Sequence, residues 1–222
     1  MRAVVCVPWR GGDPVREYLW DKVRTRLDTL PWPWFAGDSD PTLPFNRSAA
    51  RNAAVDAAGP ADVYLFVDAD TFIPEDQMAE AIYRSYAGDS ATLTQTRFLS
   101  MDPETGQTVE RAATGGANFI ICGNIAIAAG AFERLGGWDE RLSSWGWEDG
   151  ALCRLAIHLA DLSLVEGTVV SFEHPRTADE DWRVVLPKGR PAALAEYAEA
   201  ETPEGARLVA ANVAKARGRL GA

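Results

Sequence analysis

Two aspartates, Asp68 and Asp70, stand one residue apart where the apolar run Tyr64-Leu65-Phe66-Val67 ends. Carboxylates that close repel one another unless a cation lies between them. The pattern therefore suits a divalent ion, Mn2+ or Mg2+, held by Asp oxygens and neutralising the phosphate oxygens of a ligand. A solvated loop or a helix cap is the competing use of an Asp-x-Asp pair. Capping is disfavoured, because Pro74 suits the first position of the following helix and puts the cap at Ile73. A second chemical group is Glu148-Asp149, which opens an apolar-periodic segment. Acids there favour a helix N-terminus electrostatically, and one of them is available as a proton acceptor.

The elements that must carry these groups alternate. Val4, Val5 and Val7, bounded by Pro8 and Gly11-Gly12, read as a strand buried on both faces. Asp13 as cap and Pro14 in the first turn open a helix to about residue 30, with Val15, Leu19, Val23, Leu27 and Leu30 as its apolar stripe. Residues 32–36 read as a second strand, 37–41 as a polar loop, 45–58 as an Ala-rich helix closed by Gly59-Pro60, 62–67 as a third strand ending at the acids, and 74–86 as a helix. Three strands alternating with helices predict an α/β domain on a doubly wound, mainly parallel sheet. In such sheets ligands bind beyond the carboxyl ends of the strands, where Asp68 and Asp70 fall.

After residue 90 the rhythm changes to a mixed sheet with loops. The pattern predicts a strand over 91–99, a turn at 102–106, strands interrupted by Gly123 over 118–128, a short helix at 132–135, a loop over 136–146, a helix from about Glu148, and a strand region over 162–172. A helical tail follows from Pro191, with Val209, Val213, Ala216 and Leu220 on one stripe and Lys215, Arg217 and Arg219 at its end, where the helix dipole favours cations.

Composition sets bounds on function. At 222 residues and 47% hydrophobic content the chain fits one domain with a substantial core. A formal net charge of −10 argues against a face for duplex nucleic acid or anionic membrane. Cys6, Cys122 and Cys153 are odd in number and set among apolar residues, so they read as reduced core thiols rather than a disulfide framework. No run resembles a signal peptide or reaches the roughly 18 apolar residues of a membrane span. A soluble, cytoplasmic protein is expected.

Four segments together make the chain resemble GT-A-fold glycosyltransferases, in particular family 2 enzymes and the galactosyltransferase-type C-terminal region. Val7-Pro8-Trp9-Arg10 is similar to the loop that touches the nucleotide. Asn46-Arg47-Ser48-Ala49-Ala50-Arg51-Asn52 resembles the helix carrying an Ala-Arg-Asn sequence before the metal-binding strand. Asp68-Ala69-Asp70 resembles the metal motif. Leu135-Gly136-Gly137-Trp138-Asp139-Glu140 followed by Ser144-Trp145-Gly146-Trp147-Glu148-Asp149 resembles the galactosyltransferase signature, in which glycines fold the loop over substrate and tryptophans offer faces for sugar rings. The likeness covers about residues 3–175.

The resemblance implies a single GT-A domain, Rossmann-like, over 1–175, with a nucleotide half at about 1–90 and an acceptor half at about 91–175; the tail at 176–222 is expected to be helical from its pattern and carries none of the likeness. It implies a metal held by Asp68, Asp70 and His174, the imidazole favouring Mn2+ over Mg2+. Pro8, Arg10, Asp38, Arg47, Arg51, Asn52, Asp68 and Ala69 would meet the nucleotide-sugar donor, Asp38 at the uracil and the arginines on the diphosphate side. Asn124, Trp145, Gly146 and Trp147 would meet the acceptor: glycan, protein or small molecule. Asp149 would be the base and Glu148 would bind hydroxyls, giving transfer from a UDP-sugar with inversion. The other histidine, His158, reads as structural or exposed.

Three other readings compete. Haloacid-dehalogenase-type phosphatases use Asp-x-Asp-x-Thr/Val, but Thr71 comes one residue early. Sugar-phosphate nucleotidyltransferases carry a glycine-rich first loop with a basic signature that Trp9-Arg10-Gly11-Gly12-Asp13 does not match. A noncatalytic carbohydrate-binding protein on the same fold remains open.

Overall fold

A computed structural model describes residues 1–112, 123–143, 147–174 and 192–218. The chain opens with β1 (Ala3–Pro8), α1 (Pro14–Leu27), β2 (Trp34–Gly37), α2 (Arg47–Ala58) and β3 (Val63–Phe66). β1 pairs in parallel with both β2 and β3. Its side chains divide by parity: Val4 and Cys6 enter one core, and Ala3, Val5 and Val7 enter the other. That double burial is why β1 reads as an uninterrupted apolar run.

A short β4 (Thr71–Phe72) and α3 (Glu75–Gly88) follow. Next come β5 (Ala91–Leu93), β6 (Arg97–Met101), β7 (Thr108–Ala112), β8 (Ile125–Ala128), α4 (Ala129–Arg134), α5 (Glu148–Leu159), β9 (Ser163–Leu164) and β10 (Thr168–Phe172). The main sheet has the order β2-β1-β3-β8-β5-β9, with β8 antiparallel to its two neighbours. A second sheet, β4-β10-β6-β7, lies beside it. The α/β class with helices flanking a mixed, mainly parallel sheet is thus the one expected.

Several boundaries differ for physical reasons. Asn46, not Phe45, opens α2, because its side chain accepts the Ala49 N–H and caps the first turn. Pro74 is itself the cap position of α3, one place later than expected, so neither Asp68 nor Asp70 caps that helix. α1 ends at Leu27, and Val15 is exposed while Trp20 joins the buried stripe. Residues 91–99 form two strands in different sheets: the Thr94 N–H bonds the Asn124 carbonyl, and the Thr96 and Arg97 N–H groups then turn to the Gly167 carbonyl. The region 162–172 divides likewise into β9 and β10.

The described part of the tail is a 3₁₀ helix (Ala192–Glu201) followed by α6 (Pro203–Ala216). Ala206, Val209, Ala210 and Val213 are its buried stripe, in the same core cluster as Leu135, Trp138 and Leu152; Ala216 is exposed. Cys6 and Cys153 are buried free thiols. Cys122, Arg219 and Leu220 lie outside the described residues.

Candidate active site

The acids lie where the main sheet hands over to the second. β3 ends at Phe66, and Asp68 to Thr71 form a turn in which the Thr71 N–H bonds the Asp68 carbonyl at 3.1 Å. β4 then pairs antiparallel with β10, matching Ser171 to Thr71, and the Phe172 N–H bonds the Asp70 carbonyl at 2.8 Å. This register carries the chain after β10 back along the turn, so that His174 Nε2 lies 3.1 Å from Asp70 Oδ2. Two neighbouring ligands on an octahedral cation with bonds of about 2.1 Å stand ~3.0 Å apart, so this pair fits one divalent ion. Asp68 points elsewhere, toward Arg51, and no group of three or more His, Cys, Asp or Glu side chains converges on a metal position among the described residues.

These groups line a cavity of about 180 Å³. Its apolar wall is Pro8, Trp9, Leu19 and Phe45, and its polar wall includes Arg47, Asp68, Asp70, Asn124, Asp149 and His174. Ala69 lies on the rim beside the acids. Asn124 faces the cavity while its Oδ1 accepts the Asp68 N–H at 3.1 Å. Gly123, read from sequence as interrupting a strand region, permits a close approach: an added Cβ would lie 2.0 Å from Asp68 Oδ2.

Glu148 and Asp149 occupy the first turn of α5. Glu148 is buried, with Oε1 3.6 Å from Arg47 Nη1 and 3.9 Å from Arg51 Nη1. Asp149 is 22% exposed on the cavity wall and accepts from Arg51 Nη1 at 3.0 Å. Burial pushes the Asp149 carboxyl up to about 7, Glu148 and Asp68 add to the rise, and Arg51 and Arg47 oppose it. Asp70 behaves in the opposite way. Burial would raise its pKa, but the His174 bond and charge, Arg47 and the Thr71 hydroxyl together hold it below the ordinary carboxylate range. One cavity thus holds a carboxyl poised to exchange a proton near neutrality and another held ionised.

Several expected donor contacts are committed elsewhere in the chain. Arg10 donates from Nε to Asp38 Oδ1 at 2.8 Å, from Nη1 to the Leu43 carbonyl, and from Nη2 to the Ser39 and Asp40 carbonyls. Arg10 and Asp38 therefore clamp the 38–43 loop to the end of β1, and neither lines the cavity. Asn52 is nearly fully buried and grips Trp138, accepting its N–H at 3.1 Å and donating to its carbonyl at 2.9 Å. Arg51 also lines the cavity but is fully buried between carboxylates, whereas Arg47, four residues earlier, keeps 23% of its side chain exposed there. Trp147 is the cap residue of α5, and its carbonyl accepts the Ala151 N–H. Trp145 and Gly146 lie outside the described residues.

The sequence reading missed Arg16, Phe45, Phe98 and Ser171 on the cavity wall, and Trp138, expected to offer its face to a sugar, is instead buried beneath Arg51. Arg16 and Phe45 carried a signal. Both belong to chain leaving or entering the carboxyl edge of the parallel strands, the edge where such sheets bind ligands.

No family model matches the chain, and no curated protein matches it in sequence. Solved structures do. GalNAc-T7 with UDP, GalNAc and Mn2+ superposes with a TM-score of 0.53 at 12% identity, over 90% of this chain and 47% of that one. TarS of S. aureus gives 0.52 at 14%, over 79% and 37%. A mutant of Drosophila β1,4-galactosyltransferase 7 with manganese, UDP-Gal and xylobiose gives 0.51 at 16%, over 86% and 74%. The chain spans less than half the length of the first two. Its fold is the GT-A fold of nucleotide-sugar glycosyltransferases. No helix among the described residues is long and apolar enough to cross a membrane.

Proposed function

We propose that this protein is a metal-dependent glycosyltransferase that moves a sugar from a UDP-sugar to an acceptor hydroxyl with inversion. One observation carries the reading. The Asp70–His174 pair and the cavity-facing Asp149, its carboxyl raised to about 7, line a single cavity. Two GT-A structures of this shape hold UDP or UDP-Gal with manganese, which supports the same donor class here.

Asp70 and His174 would hold the divalent ion, with Asp68 beside them on the same turn. The ion supplies Lewis-acid stabilisation of the departing diphosphate. Arg47 adds positive charge at the phosphate side, and Pro8, Trp9, Phe45 and Ala69 give the nucleotide an apolar wall. Asp149 takes the proton of the acceptor hydroxyl as its oxygen bonds the anomeric carbon. The bond from that carbon to the diphosphate oxygen breaks on the opposite side, and UDP leaves with the electron pair. Glu148, beside Arg47 and Arg51 on the cavity wall, would bind hydroxyls of acceptor or donor. Asn124, with Trp145, Gly146 and Trp147 before the helix, would meet the acceptor, a glycan, a protein side chain or a small molecule.

Incubating the protein with a panel of UDP-sugars, Mn2+ and candidate acceptors tests this. UDP release that depends on the sugar and on Mn2+ is expected. Pyrophosphate exchange in its place assigns the site to nucleotidyl transfer, and binding without turnover from any donor removes the enzymatic reading.

A further inference from the structure

We propose that Arg51 is a positioning residue for the base, holding the Asp149 carboxylate in place by sharing one guanidinium between it and Asp68. The inference rests on the transferase reading above and departs from the phosphate-side role that the Ala-Arg-Asn resemblance implies.

The geometry of the fork carries it. Nη1 donates to Asp149 Oδ1 at 3.0 Å, and Nη2 donates to Asp68 Oδ1 at 2.8 Å. The two carboxylates come from different parts of the chain, one from the turn after β3 and one from the first turn of α5. A planar guanidinium joins two such partners in fixed directions, whereas a lysine ammonium is a single point charge that cannot reproduce the fork. Arg51 itself is immobilised. It is fully buried, and its guanidinium carbon lies 4.1 Å over the Trp138 ring. Trp138 is gripped through its own N–H and carbonyl by Asn52, the neighbour of Arg51 on α2. One helix turn therefore supplies both the fork and the clamp for the surface on which the fork rests.

The same facts separate Arg51 from a phosphate ligand. Withdrawing its charge from Asp68 and Asp149 would leave two neighbouring carboxylates without the cation they share, a costly rearrangement. Arg47, on the same helix face, faces Glu148 at 3.6 Å and keeps 23% of its side chain exposed at the cavity, which leaves it better placed to meet a phosphate than the fully buried Arg51. The consequence is a division of labour: Arg47 serves the donor, and Arg51 serves the orientation of the base.

Arg51→Lys, which keeps the charge and loses the fork, tests the assignment. Transfer kcat should fall about 100-fold, the order of loss that a misplaced catalytic group produces. The UDP–Mn2+ dissociation constant by calorimetry and the donor KM should stay within about threefold of the wild type. A kcat within about threefold of wild type, or a tenfold loss of UDP affinity, overturns the proposal. Should the lysine variant not fold, a crystal structure of the wild type with UDP and Mn2+ decides. Arg51 still within hydrogen-bond distance of Asp149 upholds the assignment, and a guanidinium moved to the phosphate oxygens ends it. If the wild type turns over no donor at all, the transferase reading fails first, and the two failures are distinguishable.

Discussion

His174 Nε2 and Asp70 Oδ2 meet at 3.1 Å across 104 residues of chain, brought together by the antiparallel pairing of β4 with β10. A merely structural hydrogen bond would be indifferent to added cation, whereas a two-ligand metal seat predicts linked binding of ion and nucleotide. With UDP at a hundred times its dissociation constant, mass action stabilises the fold by about 2.7 kcal/mol. For a chain of this size that is roughly 5–10 °C in Tm. The shift should appear with Mn2+, vanish in chelator, and be largely lost in His174→Ala. Equal shifts with and without the ion would remove metal bridging from the site.

Arg10 supplies a test of a different kind, since the residue expected at the nucleotide commits its guanidinium to the 38–43 loop. Its guanidinium holds Asp38, Ser39, Asp40 and Leu43 and lies 5.3 Å from the Phe45 ring centre. Arg10→Ala should cost roughly 2–3 kcal/mol, at about 0.5–0.8 kcal/mol net for each of the four partners lost. Scanning calorimetry would read it as a drop of roughly 4–10 °C in Tm. A Tm unchanged, with UDP affinity alone reduced, would return Arg10 to the nucleotide.

How much of this was legible follows from what a sequence encodes locally. Asp68 and Asp70 could be placed at a ligand-binding strand end because an apolar run stops at them, and Glu148-Asp149 could be placed at a helix start because periodicity begins there. Arg47 and Arg51 look alike in sequence, four apart on one helix face. What separates them is Trp138, a residue of a distant loop that covers Arg51 and leaves Arg47 at the cavity. Arg10 and Asp38 each resemble nucleotide contacts, and nothing local reveals that they satisfy one another. The division of 91–99 between two sheets was illegible for the same reason, since it depends on carbonyls from Asn124 and Gly167.

Gly136 ties the signature loop to the tail. Its φ of +77° lies in the left-handed region, and an added Cβ would stand 2.5 Å from the Ala210 carbonyl oxygen on α6. Arg217 reinforces the contact by donating to the Gly136 carbonyl. An L-residue there meets roughly 1–2 kcal/mol of backbone strain. Displacing α6 adds an overpacking cost of about 1–3 kcal/mol. Gly136→Ala should therefore lower Tm by roughly 5–15 °C in a thermal melt. A wild-type melting curve would mean that α6 yields freely and that the tail is not part of the support for the loop.

Asp149 joins catalysis to stability through one proton. Burial, assisted by Glu148 and Asp68, raises its carboxyl from 3.8 to about 7 in the folded protein. As a base it must be ionised, so transfer should rise through pH 7 and level off above it. Asp149→Asn should abolish that limb and reduce transfer by about 10²- to 10⁴-fold with UDP binding kept. The linkage sign is the reverse of the usual carboxylate. Between about pH 4 and 7 the folded state binds more protons than the unfolded chain, so the contribution of Asp149 to stability falls as pH rises across that window. The Asn variant carries no such titration, so its Tm should gain on that of the wild type as pH rises from about 4 to 8. A gap independent of pH, or a transfer profile flat through 7 in the wild type, would show that Asp149 is not the group exchanging the proton.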